Sequence, residues 1–260
     1  MNRLPFVTNE YYHIYNRGVD KRQVFMNDAD RYRFLHDLWE FNDEENVAPF
    51  IRRTSKNPIK TTGDSISPKT VGDTISNSKE PLVEICCFCL MPNHYHLLLK
   101  QLQDDGLSLF MRKLGIGYTY YFDEKYERSG TLFQGKFKAK HIDNDAYLTH
   151  LTKYIHLNPV DLCEPEWGEK GIQNPEMIKD FLKNYKWSSF KDYIGEKNYP
   201  SLIKNNLIMD MLGGELGYKK FALGDLSGDF SASAKGTDAS SGAKGGSAFG
   251  GENINNYLLD

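Results

Sequence analysis

The apolar and polar positions of this chain follow two periods that alternate along its N-terminal part. Four stretches have the alternation or the short apolar run of a β-strand: 11–17, 82–90, 94–99 and 132–142. Apolar residues three and four apart predict three helices: about 28–42, 107–130 and 143–158. Pro159 ends the last helix because it lacks an N–H group and restricts the residue before it.

Two other stretches show neither the strand period nor the helical period of apolar residues. Residues 43–80 are rich in Ser, Thr, Lys, Asn and Gly, which predicts a flexible insertion because structureless loops of this size are unusual within a domain. From about residue 224 the chain turns to Gly, Ser and Ala, and residues 218–260 are predicted to form a disordered tail. Between the predicted domain, 1–160, and this tail, residues 161–217 are expected to form a helical C-terminal extension.

The order of elements in the domain is strand, helix, strand, strand, helix, strand, helix. This order is typical of an α+β protein in which helices cover a mainly antiparallel sheet. We therefore expect a ferredoxin-like antiparallel sheet with helices packed on one face.

Composition excludes several classes of protein. The chain has 260 residues, 40% hydrophobic and 26% charged, as in ordinary globular proteins. No apolar run is long enough to span a bilayer, and the N-terminus lacks the apolar region of a secretory signal. Three of the four cysteines, 86, 87 and 89, crowd one apolar stretch that is predicted to be a strand, and the fourth, 163, lies far from them, which argues against a disulfide framework or a zinc ribbon. We expect a cytoplasmic protein with no membrane partner.

The net charge of −3 does not exclude a nucleic-acid partner. The excess of acidic groups lies after residue 224, and residues 1–224 carry equal numbers of basic and acidic side chains. A neutral domain binds nucleic acid when its basic groups cluster on one face.

His94-Tyr95-His96 is the first candidate for chemistry. Residues two apart in a strand share a face, about 6.7 Å from each other, so both imidazoles can approach one ion. Two polar residues on an open sheet face would give the same pattern.

The last predicted helix carries the second candidate. Tyr154 and Asn158 are four residues apart and fall roughly on one face, which His150 shares one turn earlier. A tyrosine at helical spacing more often packs in a core, and His150 could compete as a ligand. Two imidazoles and an amide oxygen nevertheless form a mixed site suited to a divalent metal, Mg²⁺ or Mn²⁺, that orients a phosphodiester for attack by a tyrosine hydroxyl.

These segments resemble a known family. Residues 91–99 resemble the His-hydrophobic-His strand of single-tyrosine HUH transposases, and 154–160, Tyr-Ile-His-Leu-Asn-Pro-Val, resemble the tyrosine helix of their REP-associated branch. Three further segments match in family order: Tyr12-His13-Ile14-Tyr15-Asn16-Arg17-Gly18, Gly130-Thr131-Leu132-Phe133-Gln134-Gly135-Lys136-Phe137-Lys138 and Trp187-Ser188-Ser189.

The resemblance implies a function for each matching position. His94 and His96 would be metal ligands, with Asn158 where related transposases usually place a Gln ligand. Tyr154 would be the nucleophile that cleaves single-stranded DNA and leaves a 5′-phosphotyrosine and a free 3′-hydroxyl. The implied partner is single-stranded DNA with hairpin (REP-like) elements, and whether the chain is a monomer or a homodimer stays open.

Basic residues suggest where the DNA would lie. Lys136, Lys138 and Lys140 alternate and are expected on one side of a strand, where lysines also prevent edge-to-edge aggregation. Further candidates for phosphate contacts are Arg17, Arg112, Lys113, Arg52 and Arg53.

Two other functions compete with a DNA-cleaving transposase. A domesticated hairpin-binding protein would not need both histidines and Tyr154. A ferredoxin-like RNA-binding module would carry aromatic RNP motifs, whereas the run at 82–90 consists mainly of Cys, Ile and Leu.

Overall fold

One antiparallel sheet organises the computed structural model, which describes residues 5–44, 80–224 and 226. Its strands are β1 (Tyr11–Arg17), β2 (Val83–Met91), β3 (His94–Gln101) and β4 (Lys138–Ile142). They lie in the order β2-β3-β1-β4, and every neighbouring pair is antiparallel. This is the ferredoxin-like arrangement predicted from the order of elements. Most of the predicted insertion and tail lies outside the described residues.

Helices occupy the predicted positions. Those of the domain are α1 (Asp28–Glu40), α2 (Gly106–Lys125) and α3 (Asp145–Leu157), with 3-10 turns at Val19–Lys21 and Asn158–Leu162. Polar side chains fix where two helices begin, because Asn27 accepts from Asp30 N at the start of α1 and Asn144 accepts from Tyr147 N at the start of α3. None of the helices in the described residues has the length and apolarity needed to cross a membrane.

The helices cover both faces of the sheet. α1 and α2 pack on one face, where the Tyr95 ring lies 5.0 Å from Phe34 of α1. These two helices approach closely at Gly117, where a Cβ atom would lie 2.3 Å from the Phe41 ring. α3 packs on the opposite face, where Tyr154 meets His96. The expectation of helices on one face therefore holds for α1 and α2, and α3 departs from it.

The composition of the central strands explains this departure. β2 and β3 are buried almost throughout, so both faces of these strands need cover. α1 and α2 connect strands of the sheet and cover one face. α3 follows the last strand, β4, and does not connect two strands, so it can cover the other face of the sheet.

The C-terminal extension closes the free edge of β2. It contains α4 (Trp167–Lys170), α5 (Pro175–Asn184), α6 (Phe190–Tyr193), α7 (Asn206–Leu212) and α8 (Gly214–Leu223). Its backbone bonds the strand edge, with Leu90 N donating to Trp187 O and Ser189 N donating to Phe88 O. This cover protects backbone groups that an edge strand would otherwise expose.

The helical extension is longer than predicted. The predicted boundary between the extension and the tail, at 217/218, falls inside α8, and that boundary is wrong. Tyr218 is fully buried and its hydroxyl bonds the Nδ1 atom of His156 at 2.5 Å. The helix continues because Ala222 and Leu223 are buried too.

Candidate active site

The two histidines of the HxH motif face α3. His94 and His96 point to the same face of β3, and Tyr95 between them points to the other face, as the strand period predicts. The Tyr154 ring of α3 lies 5.7 Å from the His96 ring in an edge-to-face arrangement. The sheet and the helix thus bring both histidines and the tyrosine together.

The hydrogen bonds around His94 define its tautomer. Asn93 Nδ2 donates to Lys21 O, so Asn93 Oδ1 faces His94 Nδ1, at 2.6 Å, and accepts a hydrogen bond from it. The Nε2 atom of His94 then carries a lone pair. Asn158 Nδ2 donates to Tyr154 O, which turns Asn158 Oδ1 toward His94 Nε2 at 3.5 Å. Two atoms that carry lone pairs therefore face each other.

Burial keeps the two histidines neutral. It lowers the pKa of His94 to about 4, and it lowers the pKa of His96 well below its ordinary value of 6.5. Neutral imidazoles are the form that binds metal. His96 Nε2 is buried and has no hydrogen-bond partner among the described residues.

This donor set fits a divalent cation. The part of the chain that the structure describes holds no group of three or more His, Cys, Asp or Glu side chains able to bind a metal. A metal here would depend on two imidazole nitrogens and the amide oxygen of Asn158, a mixed nitrogen and oxygen set that a divalent transition-metal ion accepts when water or substrate completes the site. A cation would also relieve the opposed lone pairs of His94 and Asn158 and give His96 Nε2 a partner.

Tyr154 is held in a surrounding that disfavours its ionisation. Burial raises the pKa of Tyr154 to about 12, and a hydrogen bond with the Asn158 side chain acts in the opposite direction. The phenol is neutral near pH 7 and needs positive charge nearby to act as a nucleophile.

Three predicted basic residues lie on the same sheet face as the histidines. Arg17 pairs across the strands with His94, and its Nε atom is buried with no hydrogen-bond partner among the described residues. Lys138 and Lys140 are exposed on β4, with their ammonium groups 5.8 Å from the Tyr15 ring and 5.0 Å from the Tyr147 ring. Positive charge therefore extends from the histidines to the sheet edge.

Other predicted residues lie elsewhere. Arg112 and Lys113 belong to α2, on the opposite face of the sheet. The Lys113 ammonium donates to the backbone carbonyls of Asp43 and Glu44, which follow α1. Lys136 is exposed but precedes β4, which begins six residues later than predicted, at Lys138. Arg52 and Arg53 lie outside the described residues.

His150 does not compete as a ligand. Its side chain is exposed, and its ring packs against Phe221 of α8, with ring centroids 5.5 Å apart. The helix therefore directs His150 toward the extension and Tyr154 toward the sheet.

Sequence reasoning missed His13. Its Nε2 atom lies 2.8 Å from His96 Nδ1, and its ring lies 6.3 Å from that of Tyr154. The alternation of Tyr11, His13, Tyr15 and Arg17 places these residues on one face of β1. Only the pairing of β1 with β3 shows that this face carries the HxH histidines.

One comparison with known proteins agrees with the motifs. The model of the IS200-like transposase family matches residues 51–158, which include His94, His96, Tyr154 and Asn158. This match confirms the family resemblance drawn from the sequence. No curated protein matches the chain. Among solved structures, a REP-associated tyrosine transposase bound to a REP hairpin matches with 15% identity and a TM-score of 0.45, covering 78% of this chain and 90% of that chain.

Proposed function

We propose that this chain, whose residues 51–158 match the model of the IS200-like transposase family, cleaves and rejoins single-stranded DNA beside a hairpin. The observation that carries the proposal is the convergence of Tyr154 with two neutral histidines and Asn158, whose lone-pair atoms face one another. A protein that only holds a hairpin has no need of this arrangement.

Tyr154 is the proposed nucleophile. Its Oη atom bonds to the phosphorus of a phosphodiester as the bond from phosphorus to the 3′-oxygen breaks. The proton that the phenol loses is balanced by the proton that the 3′-oxygen gains, so the products are a 5′-phosphotyrosine and a free 3′-hydroxyl. The covalent intermediate conserves the energy of the phosphodiester bond, and rejoining is the reverse reaction.

His94, His96 and Asn158 are the proposed ligands of a divalent metal, Mg²⁺ or Mn²⁺. When bound, such an ion supplies positive charge for a non-bridging phosphate oxygen and for the tyrosine oxygen. The three side chains fix its position relative to Tyr154.

Arg17, Lys138 and Lys140 are the proposed phosphate contacts. Arg17 lies beside His94, and among the described residues it forms no ion pair. A phosphate next to Tyr154 would supply the anion that this guanidinium lacks. The two lysines on the sheet edge would bind the adjoining strand. The preference for a flanking hairpin rests on the resemblance to the REP-associated branch.

A cleavage assay tests the proposal. A single-stranded oligonucleotide with a short hairpin, labelled at its 3′ end, is incubated with the protein and Mn²⁺ and run on a denaturing gel. We expect a labelled covalent adduct, and a much lower yield when a complementary strand is annealed across the cleavage site, because opening a duplex costs a few kcal/mol for each flipped nucleotide. Hairpin binding without an adduct would indicate a non-catalytic binding protein instead.

A further inference from the structure

His13 and His96 form a buried pair of imidazoles at the centre of the sheet. His13 Nε2 lies 2.8 Å from His96 Nδ1, and the two rings stack with centroids 5.1 Å apart and planes 19° apart. Their side chains are 1% and 0% exposed, so water does not compete for this contact. One of the two nitrogens donates the hydrogen bond and the other accepts it.

The surroundings of His96 determine which nitrogen donates. If His13 donated, His96 would carry its proton on Nε2, and this buried N–H would have no acceptor in hydrogen-bond geometry among the described residues, since the nearby Asn158 side chain forms no such bond with it. An unsatisfied buried donor is unfavourable because it has lost its hydrogen bonds to water without gaining a partner in the protein. If His96 donates from Nδ1, its Nε2 atom carries a lone pair directed toward the proposed metal site.

We propose that His13 is a positioning residue, which accepts the hydrogen bond from His96 Nδ1 and so holds the Nε2 lone pair of His96 ready for a metal ion. The inference rests on the proposed function, because it assigns a role toward the metal of that site. His13 itself touches neither the metal nor the DNA in this assignment.

The neighbouring ligand has an equivalent partner. Asn93 Oδ1 accepts from His94 Nδ1 at 2.6 Å and leaves the Nε2 atom of His94 with its lone pair. Each histidine of the HxH motif thus has one acceptor that fixes its tautomer, an amide for His94 and an imidazole for His96. Groups that orient metal-bound histidines in this way typically change metal affinity by about 10- to 100-fold when they are replaced.

The tautomer can be measured in the unmodified, metal-free protein. Long-range ¹H–¹⁵N correlation spectra of the full chain labelled with ¹⁵N-histidine report which ring nitrogens carry protons. We expect His96 to be protonated at Nδ1 and His13 to be unprotonated at Nε2. A proton on Nε2 of His96 would overturn the inference, and this measurement does not depend on any variant folding.

Two variants then test the effect on metal binding. His13→Leu removes the acceptor and puts an apolar side chain of similar size in its place, whereas His13→Gln keeps an oxygen that can accept. Titration calorimetry with Mn²⁺ alone should show an affinity about 10- to 100-fold weaker for His13→Leu and a partial recovery for His13→Gln. Equal Mn²⁺ affinities for both variants and the unmodified chain would overturn the inference.

A control variant separates positioning from general loss of stability. Gln101→Leu removes a fully buried polar side chain from β3, the strand that carries His96, on the face opposite to His96, where Gln101 donates to Phe6 O and accepts from Leu107 N. We expect this variant to be destabilised but to bind Mn²⁺ as the unmodified chain does. An equal loss of Mn²⁺ affinity in Gln101→Leu would show that His13→Leu weakens metal binding only by destabilising the fold. Absence of Mn²⁺ binding by the unmodified chain would instead contradict the metal in the proposed function.

Discussion

The Nε2 atom of His94 lies 3.5 Å from the Oδ1 atom of Asn158, and both atoms carry lone pairs. Neither can donate to the other, because the proton of His94 is on Nδ1 and the amide N–H group of Asn158 is directed to Tyr154 O. A cation between them turns this repulsion into two attractive contacts. The charge of the side chain at position 158 should therefore determine how tightly this site binds a metal ion.

The first prediction concerns Asn158. Asn158→Asp places a carboxylate where the amide oxygen lies, so we expect tighter Mn²⁺ binding, by about tenfold at low salt. Asn158→Leu removes the oxygen and should weaken binding by at least as much. Calorimetric titration with Mn²⁺ distinguishes the two directions, and a loss of affinity in both variants would argue against Asn158 as a ligand.

The second prediction concerns the nucleophile. Tyr154→Phe removes one hydroxyl and keeps the packing of the ring, so the covalent adduct should disappear while hairpin affinity changes by less than about threefold. The 5′-phosphotyrosine bond retains the 3′ part of the strand, so a 3′-label should follow the adduct and a 5′-label should follow the released fragment.

Tyr147→Phe is the matched control. Tyr147 is a buried tyrosine of the same helix, seven residues before Tyr154 and on the same face. This variant should form the adduct at close to the normal yield. An adduct that persists in Tyr154→Phe and is lost in Tyr147→Phe would transfer the role of nucleophile to Tyr147.

The third prediction concerns the two histidines that we propose as metal ligands. His94→Ala and His96→Ala each remove one ligand, and we expect Mn²⁺-stimulated cleavage to fall by about 100-fold or more, since metal ions contribute several kcal/mol in such sites. His150→Ala, on the same helix as Tyr154 but directed toward Phe221, should cleave within about threefold of normal. Cleavage in chelator that equals cleavage in Mn²⁺ would refute the ligand assignment.

The fourth prediction concerns the path of the DNA. Lys138→Gln combined with Lys140→Gln should weaken binding of single-stranded DNA and lower the slope of log affinity against log salt by about 1.4, because each lysine that neutralises a phosphate of a single strand adds about 0.7 to that slope. Fluorescence anisotropy at several salt concentrations measures both quantities.

A pair of substitutions on the other face of the sheet tests whether the change in slope depends on where the two positive charges lie or only on their loss. Arg112→Gln combined with Lys113→Gln removes the same charge from α2, which covers the face opposite Tyr154. The salt slope should stay near that of the unmodified chain. If the α2 pair lowers the slope as much as the β4 pair does, the DNA path is not the one proposed.

The fifth prediction concerns stability in acid. His156 is fully buried between the Tyr218 and Ser189 hydroxyls, at 2.5 and 2.7 Å, and burial lowers its pKa to about 3. Because the unfolded chain binds this proton more readily, the contribution of His156 to stability is complete above about pH 6.5 and is lost as the pH falls toward 3.

Replacement of His156 should therefore make the free energy of unfolding less dependent on pH in acid. In His156→Gln, the slope of unfolding free energy against pH between about pH 4 and pH 6 should fall by about 1.4 kcal/mol per pH unit, although the variant is less stable near pH 7. Urea denaturation at several pH values measures the slope. An unchanged slope would show that His156 does not take up a proton on unfolding.

The sequence by itself determined the local elements and the residues of the central motif. Apolar periodicity located the three helices of the domain and three of its four strands, and it placed the start of the fourth strand six residues too early. The alternation in β3 separated His94 and His96 from Tyr95, because a strand directs neighbouring side chains to opposite faces. These features depend on residues close in the chain, so the sequence contains them directly.

Tertiary structure decided which of these residues meet. The order of strands places β1 beside β3, and this pairing brings His13 to His96 across 83 positions of sequence. The packing of α3 on the second face directs Tyr154 toward the histidines and His150 away from them. The burial of Tyr218 against His156 extends the ordered chain beyond its predicted boundary. Strand order and helix placement depend on how distant apolar surfaces are buried together, and no local period contains that information.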